Sequence, residues 1–448
     1  MNLRVQCGRR GSVALAAAVI AALTLSSCGS NGSNDTTTTP GGSSKAPGNA
    51  TSGTIHWWAS PITTSGPDPR TVLISEFEKA YPNIKVDLVS APNDTDTNRA
   101  SLTTQISGGG GPDVYMGDVI WPAQFGAHQL ALDLSKYLPS SYWSTFANGL
   151  VQGATYQGGV YGAPFFEDQG FLYYRKDLLA KNHMSVPTTW EQLVKDAKTI
   201  QGKGEAKYGY VFQGADYEGA TCNFVEFLAD AGGKVLSSDG TSSALDSPAA
   251  VKALTFEQSL VNSGVAPKAS STFEETQAMD TFSAGQSVFL RNWDYAYSTS
   301  QASGSKVIGK VGVAPMPTFS GQSTPGYSNI GGWNLYVNPH SKNIAADLTF
   351  IKWMTGSQAQ TTLATQFSEI PTNEAVRSSS KVESQNPVLA IVSKTKLVAR
   401  PAQTPNYPQV SEAIYDNVNA ALAGQESPKT AIQKASSAID TAVAGGGL

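Results

Sequence analysis

The chain has 448 residues, of which 40% are hydrophobic and 15% charged, and this length and composition suit a globular protein of two or more domains. The formal net charge of -4 excludes a generally basic surface, so we expect no nucleic-acid partner. Beyond the N-terminal region, no stretch is apolar enough to span a bilayer.

The N-terminus has the pattern of a targeting segment. Three arginines precede an apolar run, residues 13–25, which is shorter than the roughly 20 residues of a membrane span. The run leads into Leu-Ser-Ser-Cys, which resembles a bacterial lipobox and implies that residues 1–27 are a signal peptide and Cys28 a lipidated first residue. A plain secretory signal, cleaved elsewhere, is the alternative.

Residues 28–53 are rich in Gly, Ser, Thr, Asn and Pro, and they contain too little apolar surface to build a core. They are predicted to be a disordered tether. The folded part then begins with a strand at residues 55–58, a helix around residues 73–80 and a second strand at residues 84–88. This β-α-β order indicates the α/β class with a parallel sheet.

Two stretches partly match the sequence patterns of calcium-binding and phosphate-binding loops, but each departs from its pattern at required positions. Asp94 and Asp96 resemble the opening of a calcium loop, but Arg99 stands where that loop needs glycine and Gln105 where it needs glutamate. The four glycines at residues 108–111 precede a strand instead of joining a strand to a helix N-terminus, so a loop is predicted there.

Polar and aromatic residues follow several predicted strands. Asp118 and Trp121 follow the strand at residues 114–116, at the strand end where ligands of open α/β sheets bind. The segment 161–176 reads as two aromatic strands that cross between lobes, with Glu167, Asp168 and Gln169 at their junction. A later strand at residues 287–290 leads into Arg-Asn-Trp-Asp-Tyr, residues 291–295.

A further strand begins at a glycine pair, Gly331 and Gly332, where the backbone can approach a ligand closely. Trp333 follows the pair directly, and a helix begins near Ile344. Near the C-terminus, Arg400 lies in an Ala-Arg-Pro loop between helical segments.

These residue types suit a sugar, which offers an apolar face of C–H groups and a rim of hydroxyls. Aromatic side chains would stack on the apolar face, and carboxylates or arginines would bind the hydroxyls. The candidate platforms are Trp58, Trp121, Trp293, Tyr295 and Trp333. The candidate hydroxyl partners are Arg99, Asp118, Glu167, Asp168 and Arg400.

No metal or cofactor is expected. The four histidines are scattered and form no His/Cys cluster of metal-ligand spacing. Cys222 is the one cysteine in the folded part, so it has no intramolecular disulfide partner and is predicted to be a small buried hydrophobic residue.

Several motifs together resemble extracellular solute-binding proteins of ABC importers, type II, in the trehalose/maltose-binding branch. They are GPDVYMGDVIWPAQF, FLYYRKDLL, RNWDYAY, GKVGVAPMP, GGWNLYV and ARPAQTPNYPQVSEAI, which span most of the chain after the tether. The resemblance implies sugar contacts by Asp118, Asp168, Trp293, Tyr295, Gly331, Gly332, Trp333 and Arg400. Asp68 and Arg99 match the family's early contacts loosely, and Phe166 stands where relatives commonly have tyrosine.

The resemblance implies a two-lobed α/β fold with two or three hinge crossings and a ligand cleft between the lobes. Lobe 1 is expected at residues 54–166 with 313–338, and lobe 2 at residues 167–312 with 339–448. The expected protein is a lipid-anchored monomer on the extracytoplasmic face of the cell membrane, delivering a disaccharide or short oligosaccharide to a permease. No Walker-type loop is present, so ATP hydrolysis would belong to a partner subunit.

Two other functions fit the residues. Glu167 with Asp168 or Asp118 could supply the acid and base of a secreted glycoside hydrolase. A binding protein for another solute, such as a polyamine or an amino acid, is the third possibility.

Overall fold

The computed structural model describes residues 52–64 and 66–445. The predicted signal peptide, Cys28 and nearly all of the predicted tether lie outside the described residues. Within the described ranges, no helix combines the length and the apolar character that a membrane crossing requires.

Within the described residues, thirteen strands form two main sheets and one short hairpin. The strands are β1 (Gly53–Ala59), β2 (Ile84–Ser90), β3 (Val114–Asp118), β4 (Thr155–Tyr156), β5 (Gly159–Val160), β6 (Ala163–Gln169), β7 (Phe171–Arg175), β8 (Tyr208–Val211), β9 (Ser287–Asn292), β10 (Val311–Ala314), β11 (Tyr327–Val337), β12 (Ile370–Pro371) and β13 (Lys396–Val398).

Helices cover both sheets. The α-helices are α1 (Pro69–Ala80), α2 (Thr95–Ser107), α3 (Pro122–Ala127), α4 (Ser140–Trp143), α5 (Asn148–Gly153), α6 (Lys176–Lys181), α7 (Trp190–Gly202), α8 (Glu218–Asp230), α9 (Pro248–Asn262), α10 (Glu275–Ser283), α11 (Ala296–Ser300), α12 (Ile344–Met354), α13 (Ser357–Thr362), α14 (Glu374–Arg377), α15 (Ser380–Gln385), α16 (Leu389–Val392), α17 (Tyr407–Leu422) and α18 (Pro428–Ala444). Short 3-10 helices are Leu134–Lys136 and Lys268–Thr272, and Leu363–Phe367 is a π-helical turn.

The first sheet has the strand order β12-β6-β11-β3-β1-β2, with β13 paired to the N-terminal part of β11. Strand β1 is parallel to both β2 and β3, which confirms the predicted β-α-β start. Strand β11 runs antiparallel between β3 and β6. The C-terminal ends of β3 and β6 therefore lie beside the middle of β11, where Asp118 pairs with Trp333 and Gln169 with Ile330.

Helix α1 shows why the sequence folds this way locally. Asp68 caps the helix by accepting a hydrogen bond from the backbone N–H of Arg70, and Pro69 occupies the first helical position, where no N–H is needed. Leu73 and Phe77, four residues apart, face the sheet and are fully buried.

The second sheet has the order β10-β7-β9-β8, with β7 antiparallel to β9 and β8 parallel to it. Its core includes Trp190 of α7, Phe224 of α8, Leu254 of α9 and Ile414 of α17, all without exposed surface. The two sheets with their helices form two lobes.

The chain passes between the two lobes more than once, and it returns to the first sheet as β13 before α17 packs in the second lobe. It leaves the first sheet at Gly170, returns between β10 and β11, and leaves again after β12 to place Val382 and Val388 in a core with Tyr173 of β7. A Cβ atom on Gly170 would lie 2.3 Å from Oε1 of Glu226, so only glycine fits this first crossing.

Two of the expected lobe boundaries differ from the packing. Helix α12 was expected in the second lobe, but Phe350 packs on Trp57 of the first sheet with ring centroids 5.3 Å apart. Strand β10 pairs with β7, so Val313 belongs to the second sheet although it was expected in the first lobe. Helical periodicity shows that α12 has an apolar face, but it does not show which sheet that face covers.

Candidate functional site

A cleft of about 280 Å³ lies where the first sheet meets the N-terminal ends of α8 and α10. This volume is just below the range usual for small-molecule sites, about 300–1,000 Å³. Eight of the predicted contact residues line it, namely Asp118, Asp168, Trp293, Tyr295, Gly331, Gly332, Trp333 and Arg400. The structure therefore brings together residues that are up to 282 positions apart in the chain.

Two predicted contact residues are not part of the lining. Asp68 caps α1 and forms an ion pair with Arg70, with 2.7 Å between Oδ2 and Nη2. Arg99 lies on α2 and pairs with Asp96 over 3.4 Å. These are the two residues that matched the family's contact positions only loosely, and each forms an ion pair with a residue nearby in the sequence.

Three other residues that were candidates by type are also absent from the lining. Trp58 donates its Nε1–H to Oδ1 of Asn98 at 2.7 Å, and Trp121 is 1% exposed and stacks on Phe125. Glu167 is held by Arg377, with 2.5 Å between Oε2 and Nη1. Trp58 and Trp121 are packing residues in this structure, and Glu167 is part of a structural ion pair.

Gly332 fixes the shape of the cleft floor. Its φ angle of 122° is unfavourable for any residue with a side chain, and a Cβ atom there would lie 2.5 Å from the carbonyl oxygen of Phe166. The pairing of β11 with β6 is irregular immediately afterwards, between Trp333 and Asn334. The unpaired residue is Phe165 of β6, and an extra residue of this kind bends its strand, here next to the cleft.

The neighbouring glycine makes room for an aromatic ring. A Cβ atom on Gly331 would lie 3.1 Å from Cζ3 of Trp293. The guanidinium of Arg291 lies 4.0 Å from the Trp293 ring centroid, and Nε1 of Trp293 donates to Oε1 of Glu275 at 3.3 Å. Trp293 is thus held on several sides while it lines the cleft.

Arg400 connects the two lobes across the cleft. Its Nη1 lies 2.7 Å from Oε1 of Glu218 on α8, and its Nη2 lies 3.3 Å from both Oδ1 of Asp118 on β3 and the carbonyl oxygen of Ile330. Burial raises the pKa of Asp118, and the nearby Arg400 guanidinium opposes that rise. The guanidinium side chain is only 2% exposed, which strengthens its ion pairs.

A cluster of three buried carboxyl groups borders the cleft. One oxygen each of Asp168, Asp294 and Glu369 lies within 4.8 Å of the others, and Glu369 follows the π-helical turn and Ser368, whose φ is 69°. Burial raises the pKa of Asp168 to about 7 and raises the pKa of Asp294 and Glu369 well above their usual values. The charge of Asp168 further raises the pKa of Asp294 and Glu369, and the charge of Glu369 further raises the pKa of Asp294.

Sequence reasoning missed several lining residues, including Ser60, Thr64, Tyr217, Glu218, Glu274 and Glu275. Among the described residues, the Ser60 and Thr64 hydroxyls and Nε of Arg400 are buried without a hydrogen-bond partner. No motif marks Ser60 or Thr64, because they stand in a loop after β1. Glu274 forms a capping box with Gln277, and this pattern indicates the start of a helix but not a ligand contact.

Comparison with known proteins supplies the family. The model of the bacterial extracellular solute-binding protein family matches residues 60–361, more than half of the chain. The "Probable ABC transporter-binding protein" of Deinococcus radiodurans is 36% identical over 358 residues, covering 78% of this chain and 84% of that protein.

Solved structures agree with this match. Maltose-bound MalE3 of T. maritima superimposes with a TM-score of 0.81 at 33% identity, covering 87% of this chain and 99% of that one. The GacH receptor of Streptomyces glaucescens, solved unliganded and with acarbose, gives 0.77 at 26% identity and covers 88% and 99%. The fold is therefore the two-lobed α/β fold of maltose-binding-protein-like proteins, and the chain belongs to the bacterial extracellular solute-binding proteins of ABC transporters.

Proposed function

We propose that this protein is the sugar-binding component of an ABC importer and that it binds a disaccharide or short oligosaccharide of the trehalose/maltose kind in the cleft. The observation that carries the proposal is the composition of the cleft. Trp293, Tyr295 and Trp333 line it together with the buried ion pair of Asp118 and Arg400. Aromatic faces combined with charged hydrogen-bonding groups suit the two sides of a sugar ring.

The unpartnered groups in the lining support the same proposal. Buried polar groups are normally hydrogen-bonded, and the Ser60 and Thr64 hydroxyls and the Arg400 Nε have no partner among the described residues. A polyhydroxylated ligand offers donors and acceptors to all three. The relative from T. maritima was solved with maltose, so we would test sugars of this size first.

In this proposal the ligand contacts both lobes and so favours a closed arrangement of them. Asp118 and Trp333 belong to the first sheet, whereas Trp293 and Tyr295 follow β9 of the second. A ligand shifts such an equilibrium by its difference in affinity for the two arrangements. The closed form would dock as a monomer on membrane permease subunits, and Cys28 would anchor the protein by lipid to the outer face of the membrane.

The hydrolase alternative pairs Glu167 with Asp168 or with Asp118, so Glu167 is needed in both cases. Glu167 is engaged by Arg377, and Asp118 is engaged by Arg400. Neither is free to act as a general base without breaking an ion pair. These pairs favour the binding function.

The test is a titration of the purified protein with trehalose, maltose, sucrose, glucose and longer α-glucans, followed by tryptophan fluorescence and calorimetry. Saturable binding of one sugar is the expected result. The absence of binding across the panel would contradict the proposal and favour a non-sugar solute such as a polyamine or amino acid. Release of glucose from a disaccharide, abolished in Asp168→Ala, would favour the hydrolase instead.

A further inference from the structure

Glu218 has the contacts of a residue that holds another side chain in place. It is the first residue of α8, lines the cleft and is 3% exposed. Its Oε1 accepts hydrogen bonds from Nη1 of Arg400 at 2.7 Å and from the hydroxyl of Tyr407 at 2.6 Å. Its Oε2 accepts a hydrogen bond from Oγ of Ser411 at 2.5 Å. Both carboxylate oxygens are therefore engaged by protein groups.

The two hydroxyl donors come from one rigid face. Tyr407 and Ser411 are four residues apart on α17, so they project from the same side of that helix. Both are fully buried, and Thr221 adds a contact of 2.8 Å to the Ser411 hydroxyl. Helix α17 thereby fixes the Glu218 carboxylate, and the carboxylate in turn fixes one end of the Arg400 guanidinium.

The other end of the guanidinium reaches the first lobe. Nη2 of Arg400 contacts Asp118 and the Ile330 carbonyl, each at 3.3 Å. These distances are longer than the 2.7 Å contact to Glu218, so Glu218 is the stronger anchor. The third nitrogen of the group, Nε, is buried without a hydrogen-bond partner among the described residues, and Arg400 lines the cleft.

We propose that Glu218 is a positioning residue for ligand binding, which holds Arg400 so that its Nε faces the ligand and its Nη2 faces Asp118. This inference rests on the proposed sugar-binding function. Glu218 acts through Arg400, because its own oxygens are already occupied by three donors. The substitution Glu218→Gln keeps the size of the side chain but replaces one acceptor oxygen with a donor, which opposes either Arg400 and Tyr407 or Ser411.

The test is a double-mutant cycle of Glu218→Gln and Arg400→Met in the full chain, read by calorimetric titration with the panel sugar that the wild type binds most tightly. We expect Glu218→Gln to weaken binding roughly 10- to 100-fold, the effect of losing a charged hydrogen bond. In the Arg400→Met background, the same substitution should change affinity by no more than about threefold, because the two residues act as one unit.

A matched control is Glu257→Gln, which alters a buried glutamate of α9 in the same lobe, away from the cleft lining. Its affinity should equal that of the wild type. A merely structural effect of Glu218→Gln would reduce the number of binding sites per chain and the unfolding temperature, while the remaining sites kept wild-type affinity.

Three results would overturn the inference. The first is that Glu218→Gln binds the sugar with wild-type affinity and at the full number of sites. The second is that its affinity is unchanged and only the number of binding sites per chain falls. The third is that the factor by which Glu218→Gln weakens binding is the same with and without Arg400→Met. A wild type that binds no sugar of the panel would remove the proposed function itself, and with it this role of Glu218.

Discussion

Gly332 and the carbonyl oxygen of Phe166 approach so closely across the β11–β6 pair that a Cβ atom on the glycine would lie 2.5 Å from that oxygen. Contacts this short do not occur in folded proteins, and both partners are backbone, which cannot rotate away. The positive φ of 122° adds a second penalty for any side chain. The close approach holds the backbone directly before Trp333 at the floor of the cleft.

Gly332→Ala should therefore lower the free energy of unfolding by about 2 kcal/mol or more and displace Trp333. Urea unfolding measures the first effect and sugar titration the second. Gly304→Ala is the matched control, because Gly304 has a φ of 94° but no atom lies within 4 Å of a Cβ there. If both variants lost the same stability, the clash with Phe166 would play no part.

The same segment shows what sequence alone could predict. The apolar alternation through Leu335 and Val337 predicts a strand, and the pair Gly331 and Gly332 predicts a close backbone approach; both features are present. The sequence around the glycines does not show that the approached atom is the carbonyl oxygen of Phe166, because that depends on the register between β11 and β6.

Residues whose surroundings differ from the expected ones, and lining residues that the sequence did not mark, share a physical reason. Asp68 has the residue type of a sugar ligand, but a helix cap and an ion pair satisfy it locally. Glu218 carries no motif, because its partners Arg400, Tyr407 and Ser411 follow 182 to 193 positions later. Such roles arise from tertiary contacts, and periodicity or spacing does not predict them.

Trp333→Ala should weaken sugar binding about tenfold or more, because the variant loses an aromatic platform while the strand remains. The residue is half-buried and meets Trp121 edge-on at 6.3 Å, so the fold should tolerate the truncation better than the site does. Calorimetric titration measures the affinity, and thermal unfolding reports the fold.

The control for this prediction is Trp353→Ala. Trp353 is partly buried, packs against Phe77 of the first-lobe core with ring centroids 5.6 Å apart, and does not line the cleft. It should lose stability and keep its affinity, which is the opposite pattern. Unchanged affinity in Trp333→Ala would remove Trp333 from the site.

The buried cluster of Asp168, Asp294 and Glu369 predicts that stability falls as pH rises. Burial raises the pKa of Asp168 to about 7 from its usual 3.8. Below pH 4 both the folded and the unfolded chain are protonated at this group. Between pH 4 and pH 7 the unfolded chain releases a proton that the folded chain retains, so the free energy of unfolding decreases over this window. The higher pKa values of Asp294 and Glu369 extend the decrease to higher pH.

Glu369→Gln should make this decrease shallower and should raise stability at pH 8 relative to the wild type, because it removes a carboxyl group whose own pKa is raised by burial and whose charge opposes ionisation of Asp294. Urea unfolding at a series of pH values measures the slope. Glu383→Gln, at an exposed glutamate of α15, should leave the slope unchanged. A wild-type slope in Glu369→Gln would show that the cluster does not set the pH dependence.

Cys28→Ala should move the protein from the membrane fraction to the soluble fraction, if the Leu-Ser-Ser-Cys sequence is the lipidation site that we propose. Acyl chains bind membranes through about 0.8 kcal/mol per buried CH₂ group, and none of the described helices could replace them as a membrane crossing. Fractionation of cells, combined with incorporation of a labelled fatty acid, measures the change. Cys7→Ala is the matched control, because Cys7 lies in the predicted signal peptide and would be removed with it. Continued membrane retention of Cys28→Ala, or a wild type without incorporated lipid, would contradict the lipid anchor while leaving the cleft and its proposed ligand untouched.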